Sequence, residues 1–574
     1  MTTDATATSS DPTAPPAPPS SGVPEPGRAR LRRLRPLRLP VALVAAAMFV
    51  GVLGPLWLSA YTGSLGIPHN DTWAFSRTAQ IFAHTGHLVL FNWNAMALLG
   101  MIIPLGPFGG SITVQSCIVA VLALVALAAV FDLFQVYAGP RRAGLGLLLV
   151  ALWPGFGLIS TSLMTDIPAL AAVTVTLALG RRALERGSFT LLALAAVVGF
   201  WGFSVREQVI AAPLGVFAAA LLQRRFRTRA AIKRMIWILL PLCVLAAGFE
   251  LWRRGFAAGG SPSFDFESFP GVRKVVLAVL SGWLLLGLIL SPLVLLVARP
   301  FTWNRTRLYV SGGMFFILAN GTLWGGLQLP QNYLSIAGSY PGAYLGTRPD
   351  VLPQTVWDLL TPLACVSGGL LVGVLIGRLR RLRPELALYA FFMICGTFLE
   401  VVEGQTLFDR YVLPIALPVI ALLLSEPLRT PKTEASARER HTRLGLGAAS
   451  GLIVGVVTTL MTANALSFDA ATWHAAQAVV NSGAASADYV DAGLDWTGYH
   501  SANGMEDQPD DYAEAGIFSY SPSLGRDMPC YVVASRPQEQ ASWTLVATPA
   551  YRVYGFFGST ETLDVYSTGL SVCQ

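Results

Sequence analysis

The sequence predicts a polytopic α-helical membrane protein that carries a small α+β domain outside the membrane at its C-terminal end. Three observations predict it. Of 574 residues, 53% are hydrophobic and only 13% charged, with a mean hydropathy of +0.55, which is far too apolar for a soluble chain of this length. Apolar runs long enough to cross a bilayer recur near 41–60, 111–136, 143–160, 163–180, 189–204, 207–222, 233–251, 273–298, 308–325, 354–377, 385–402, 411–426 and 444–464, thirteen in all. Beyond them the composition shifts to Asp, Tyr and Ser, and residues 465–574 contain no run long enough to span.

Each region follows from its residues. Positions 1–27 are mostly Thr, Ser, Pro and Ala, too poor in large apolar side chains to offset their ordering entropy. With Arg28, Arg30, Arg32, Arg33, Arg35 and Arg38 they make an arginine-rich tail, 1–39, expected to be disordered and cytoplasmic. The run 41–60 is too long for a secretory signal's apolar region and lacks a small-residue cleavage site, so it reads as a retained anchor that opens a transmembrane domain, 40–464. The net charge of +7 comes almost entirely from arginine, since Lys233, Lys274 and Lys432 are the only lysines. Those arginines sit in short loops between apolar runs, which is a topology signal rather than a nucleic-acid patch. Counted from a cytoplasmic start, the even-numbered crossings end at Arg141-Arg142, Arg181-Arg182, Arg224-Arg225, Arg299, Arg378 to Arg383 and Arg429. All these loops fall on one side, and only Arg253 and Arg254 run against the pattern. Heavy Ala, Gly, Leu and Arg usage favours a bacterial plasma membrane.

The same count gathers ionisable residues on the outer face. Asp71 lies in the first outer loop, Asp166 in the second, Arg206-Glu207-Gln208 in the third, and Glu403 to Arg410 near the outer end of a late span. Charges at membrane depth are costly and mark pathways or sites. Each has a structural alternative: Asp71 can cap the helix that follows it, the others can snorkel, and Arg410 can pair with Asp409 or Glu403. After Asp71, Phe75, Ala79 and Phe82 recur at helical spacing beside Arg77 and Gln80, as in a short helix lying in the interface.

At these residues the chain resembles a known group. Asn70-Asp71-Thr72-Trp73, Met164-Thr165-Asp166-Ile167-Pro168, Arg206-Glu207-Gln208 and Asp409-Arg410-Tyr411-Val412-Leu413-Pro414 are similar to motifs of the polyprenyl-phosphate-sugar-dependent glycosyltransferases of GT-C fold. Within these, the match is to the protein mannosyltransferase and lipid A aminoarabinose transferase family. The resemblance covers roughly residues 40–430, in order and on consistent sides. It implies a lipid-linked sugar donor, an extracytoplasmic acceptor (protein, lipid or cell-wall glycan) and a first-loop acid as the catalytic residue. Members often carry two adjacent acids there, whereas Asp71 is followed by Thr72, so any part the second acid plays in metal or acceptor binding is missing or supplied elsewhere.

Transfer of a sugar from a polyprenyl phosphate needs a base for the acceptor hydroxyl and cations for the departing phosphate. Asp71 suits the first. Arg206 and Arg410 suit the second, because a guanidinium can grip two phosphate oxygens at once. Asp166 can orient the acceptor or raise the basicity of Asp71. Glu207, Tyr411 and Arg77, which share these stretches, join the substrate-binding set. His84 and His87 are weak candidates for a divalent metal, their spacing placing them on one helical face, but His69 is their only companion and no Cys joins them. The aromatic and polar loop 326–353, with Tyr333, Tyr340 and Tyr344, can cover the site or sit at headgroup level.

In the outer domain, a helical start near Trp473–Val480 precedes alternating stretches at 530–535, 543–548, 551–556 and 562–567 that read as strands. Cys530 and Cys573 are its only cysteines, and an oxidising compartment favours a disulfide between them. Two other classes share this hydropathy. A lipid or oligosaccharide transporter calls for charged or Gly/Pro-broken segments near mid-span, whereas the charges here lie at outer ends. A non-catalytic sensor leaves the outer-face motifs without a role.

Overall fold

The computed structural model describes residues 38–69, 71–89, 98–254, 271–340, 348–425, 434–500, 529–535, 537, 543–555 and 558–569. Residues 1–37 of the N-terminal tail, Asn70, Tyr344 and Cys573 lie outside them. In chain order the main helices are α1 (Leu39–Thr62), α2 (Thr72–Thr85), α3 (Ile112–Ala151), α4 (Asp166–Arg186), α5 (Phe189–Phe203), α6 (Ala211–Leu222) and α7 (Arg229–Arg254). There follow α8 (Val272–Ile289), α9 (Ser291–Val297), α10 (Arg305–Trp324), α11 (Gln354–Ile376), α12 (Pro384–Val402), α13 (Asp409–Leu424) and α14 (Glu434–Asn481).

Every predicted apolar run contains helix among its described residues, and among the described residues eight helices are long and apolar enough to cross a membrane unaided. The expected thirteen is larger because several runs form shorter helices. The runs 111–136 and 143–160 are joined in α3 across Gly139 (φ +70°) and Pro140, and the second half ends at Ala151. The run 207–222 begins as a 3₁₀ turn at Glu207–Ile210 before α6 takes over. Local chemistry sets other ends: Gly86 and Gly187 close α2 and α4 in left-handed conformation, and Ser188 caps α5 by accepting from the Leu191 amide.

The bundle has two chemically distinct ends. At one, Arg181 and Arg182 reach Asp132 at 2.7 and 2.8 Å, Arg383 reaches Glu185, and Arg142 and Arg378 donate to the last carbonyls of α13, at Leu424 and Leu423. The basic loops thus meet and cap one another's helices there. Asp166 begins α4 and Arg186 ends it, so some 30 Å of helix separates this end from the carboxylate.

A second core belongs to the C-terminal domain, where Phe468, Trp496, Val533, Val553 and Val565 come together. After β1 (Val490–Asp491) and α15 (Leu494–His500) come β2 (Tyr531–Ala534), β3 (Thr544–Ala547), β4 (Ala550–Val553), β5 (Ser559–Thr562) and β6 (Asp564–Ser567). One sheet has the order β1-β2-β6-β3, and β4 pairs with β5 in a separate hairpin. Strand β1 lies parallel to β2, whereas β2 and β3 both run antiparallel to β6. The boundary expected at 464 falls inside α14, which continues unbroken from the bundle into this domain.

Candidate functional site

At the end of the bundle opposite the arginine loops, four elements deliver charge to one place. Asp71 ends the turn before α2, Asp166 opens α4, Arg206 follows α5 in extended backbone, and Arg410 sits in the first turn of α13. Arg410 Nη2 lies 3.3 Å from Asp71 Oδ2, and its Nε lies 3.9 Å from Asp166 Oδ1. Arg206 Nη1 donates to Asp166 Oδ1 at 2.6 Å. The guanidinium of Arg206 also stacks on the Tyr411 ring, 4.4 Å from its centroid, and Arg410 donates to the hydroxyls of Tyr340 and Tyr333 at 3.1 and 3.4 Å.

The capping alternative for Asp71 fails: its side chain makes no bond to the amides of α2. The turn is closed instead by Thr72, whose Oγ1 donates to the His69 carbonyl and accepts from the His69 amide at 2.8 and 2.6 Å. The threonine that follows Asp71 therefore holds the loop that presents that acid. Burial raises the Asp71 carboxyl above its ordinary value of 3.8, Arg410 opposes this, and Asp166 adds to it. Nor does Arg410 pair with Asp409. That carboxylate accepts from the amides of Tyr333 and Leu334 at 2.7 and 2.8 Å and from the Arg410 amide at 2.7 Å, so it ties the 333–334 loop to α13 and leaves the Arg410 side chain to the other two acids.

Two polar atoms in this cluster have no hydrogen-bond partner, Asp166 Oδ2 and Arg410 Nε. Both residues line a narrow cavity of about 30 Å³ whose other walls include Ile159, Ile167, Leu170, Val173, Met393 and Leu413. The charged cluster and the apolar walls of the cavity adjoin.

Other candidates lie elsewhere. Arg77 donates to the Gly498 carbonyl at 3.2 Å and so serves the contact with α15. The first two turns of α2 are largely buried, with Trp73 against Gly498 of α15, and its end at His84 and Thr85 is exposed. Glu207 is exposed, and Gln208 instead turns inward to chelate the Glu400 carboxylate at 2.7 and 2.6 Å. His84 and His87 are exposed; α2 ends at Thr85, so they do not share a helical face. Among the described residues no group of three or more His, Cys, Asp or Glu is arranged to hold a metal, and the guanidinium of Arg410 stands between Asp71 and Asp166. His69, weighed with those histidines, is buried and bonded to Asp469 at 2.8 Å. Cys530 is disulfide-bonded; its expected partner Cys573 lies outside the described residues.

Sequence reasoning missed Asp469 and Trp153, whose indole donates to the Asp409 carbonyl at 3.0 Å. Asp469 did leave a signal, being the one carboxylate between His441 and Ala487. Gly155 was missed too. Its φ is +77°, and a Cβ there would lie 2.2 Å from the Tyr333 ring. Gly155→Ala is expected to cost about 1–2 kcal/mol for the left-handed backbone alone and to displace Tyr333 from Arg410. A lowered melting temperature in detergent together with weakened ligand binding at the site would check this.

The fold and site thus define a multi-pass membrane protein with an arginine–carboxylate centre at one end of its helical bundle. Residues 95–250 match the family model described as dolichyl-phosphate-mannose-protein mannosyltransferase, the family group that the four motifs resemble. No curated protein matches the chain. Similar solved structures include ArnT from Cupriavidus metallidurans bound to undecaprenyl phosphate, at 14% identity over 93% of this chain and 98% of that one, with a TM-score of 0.44. The archaeal oligosaccharyltransferase AglB from Archaeoglobus fulgidus, in complex with an inhibitory peptide and a dolichol-phosphate, is similar at 15% identity over 89% of this chain and 62% of that one, with a TM-score of 0.40.

Proposed function

We propose that the protein is a glycosyltransferase of the plasma membrane that moves a sugar from a polyprenyl-phosphate donor to an acceptor on the extracytoplasmic side. The observation that carries this reading is the junction of Arg206 and Arg410 with an apolar cavity. Two arginines suit a phosphate, and the apolar walls suit the first isoprene unit of its chain once the narrow cavity widens to admit it. The mannosyltransferase match over residues 95–250 supports the same chemistry, and the arginine loops gathered at the far end support a cytoplasmic assignment for that end.

The step is a direct displacement. Asp71 takes the proton from the acceptor hydroxyl as its oxygen forms a bond to the anomeric carbon. The bond from that carbon to the phosphate oxygen breaks, its electron pair leaves on the phosphate, and Arg206 and Arg410 hold the added charge. The products are a glycosylated acceptor with inverted configuration and a free polyprenyl phosphate. Asp166 orients Arg206 and Arg410 through its Oδ1, and its unpartnered Oδ2 is free to receive an acceptor hydroxyl.

The test is transfer from a radiolabelled polyprenyl-phosphate sugar in membranes holding the protein, measured across pH. A base works only when deprotonated, and burial raises the Asp71 carboxyl. The rate should therefore fall off on the acid side at a pH above the ordinary aspartate value of 3.8. Absence of transfer from any lipid-linked donor, with movement of the intact lipid across the membrane instead, would favour a transporter.

A further inference from the structure

We propose that Phe468 and Asp469, neighbours on α14 where it passes from the bundle into the C-terminal domain, are positioning residues for the two halves of the site. Asp469 sets Asp71 through His69, and Phe468 sets Arg410 through Arg348 and Tyr340. The assignment rests on the catalytic reading above.

The first chain of contacts is short. Asp469 Oδ2 meets His69 Nδ1 at 2.8 Å, with both residues buried, 6% and 3% exposed. Backbone and hydroxyl of Thr72 bond back to the His69 backbone, so His69, Thr72 and Asp71 between them form one closed turn. An imidazole fixed at its ring by a helix fixes the turn at its root, and the Asp71 carboxylate is two residues further on.

The second chain begins on the adjacent residue. The Arg348 guanidinium lies flat over the Phe468 ring, 3.9 Å from its centroid, and Arg348 is only 2% exposed. From there its Nη1 donates to the carbonyls of Ser339 and Tyr340. Tyr340 is the one non-glycine residue with positive φ, +53°, among the described residues. A side chain held in that region persists only where its surroundings impose it. The consequence reaches the site directly, since the Tyr340 hydroxyl accepts from Arg410 Nη1 at 3.1 Å and its ring packs edge to face on Tyr333 at 4.6 Å. Both chains start from the same turn of α14, run through different residues, and meet at the Arg410–Asp71 pair.

Because the chains hold different members of that pair, their loss has different kinetic signatures. In the full-length protein in lipid nanodiscs, Asp469→Ala is expected to lower kcat about tenfold at unchanged donor KM, the scale of a reacting group misplaced by a fraction of an ångström. Asp469→Asn, which still offers His69 an acceptor oxygen, should restore most of it. Phe468→Ala should instead raise donor KM about tenfold along with a fall in kcat, because Arg410 meets the phosphate in both the ground and the transition state, and Phe468→Tyr, which keeps the ring face, should restore both. A plain loss of folding would lower apparent kcat at unchanged donor KM in both variants alike and would resist the conservative replacements, so kcat is counted per protein recovered in folded, monodisperse form. No change in kcat on Asp469→Ala, no rise in donor KM on Phe468→Ala, or no rescue by the conservative variants overturns the proposal.

A second measurement does not depend on transfer. Thiol-labelling rates at Asp71→Cys and at Tyr340→Cys are compared with and without the α14 substitutions. Asp469→Ala should change the first rate and Phe468→Ala the second, each about threefold or more, as expected when a local anchor is removed from a mobile turn. Should the wild-type protein transfer no lipid-linked sugar, the catalytic reading fails on its own, and these labelling rates still decide the positioning: equal effects at both sites, or none, reject it.

Discussion

Asp71→Asn is expected to reduce sugar transfer by about a hundredfold or more while the protein inserts and binds donor as the wild type does. The amide keeps the size of the side chain and one acceptor oxygen, so Arg410 retains a partner at the position now 3.3 Å away. What it removes is the basic oxygen, and loss of a general base costs about 10²–10⁴ in rate. The measurement is initial velocity with a radiolabelled lipid-linked sugar, paired with donor binding to purified protein. Wild-type velocity in a correctly inserted Asp71→Asn protein would remove Asp71 from the chemistry and bring the transporter and sensor readings forward.

Arg410→Ala should be at least as damaging, for a different reason. Arg410 is almost fully buried and faces two carboxylates and two phenols at once. Removing it strips the departing phosphate of a cation, worth about 10²–10³ in rate for one preorganised donor. It also leaves Asp71 and Asp166 facing each other without their shared counter-ion, a loss on the order of a few kcal/mol in stability. Both donor affinity and turnover should therefore fall, in contrast to Asp71→Asn. Arg410→Lys separates the two effects: it keeps the charge and much of the stability, but a point charge cannot reproduce the fork that reaches Asp71, Asp166 and the tyrosines together. If Arg410→Lys transfers sugar at the full rate, bidentate phosphate recognition at this position is wrong.

Much of this site was legible because charges at the ends of apolar runs are rare, and each one therefore stands out. Asp71, Asp166, Arg206 and Arg410 are spread over 339 residues of sequence, yet the alternation of loops put them on one face before any contact was known. What the alternation could not supply was partner choice. Arg410 lies beside Asp409 in the chain but pairs with Asp71, because Asp409 is consumed by three backbone amides. The Asp469–His69 bond joins positions 400 residues apart, and nothing local in either segment announces the other. His84 and His87 failed for the opposite reason, since helical spacing was applied across Gly86, whose left-handed backbone ends the helix between them. In the outer domain, β1 is only two residues long and β5 is the polar Ser-Thr-Glu-Thr, so neither shows the alternation that marked the other strands.

The unbroken course of α14 has a consequence for how this chain can change in length. At 48 residues the helix is roughly 70 Å long, more than twice the ~30 Å hydrocarbon core of a bilayer. It thus works as a rigid axle whose far half takes its rotational phase from the near half. Loops absorb insertions with little penalty, but one residue added within the membrane-embedded part of this axle would turn everything beyond it by about 100° and swing Asp469 and Phe468 off their partners. Seven residues would bring the phase back to within about 20° while lifting the outer domain by about 10 Å. Angular register along a single helix, and not only the contacts it makes, is therefore what such a chain must preserve.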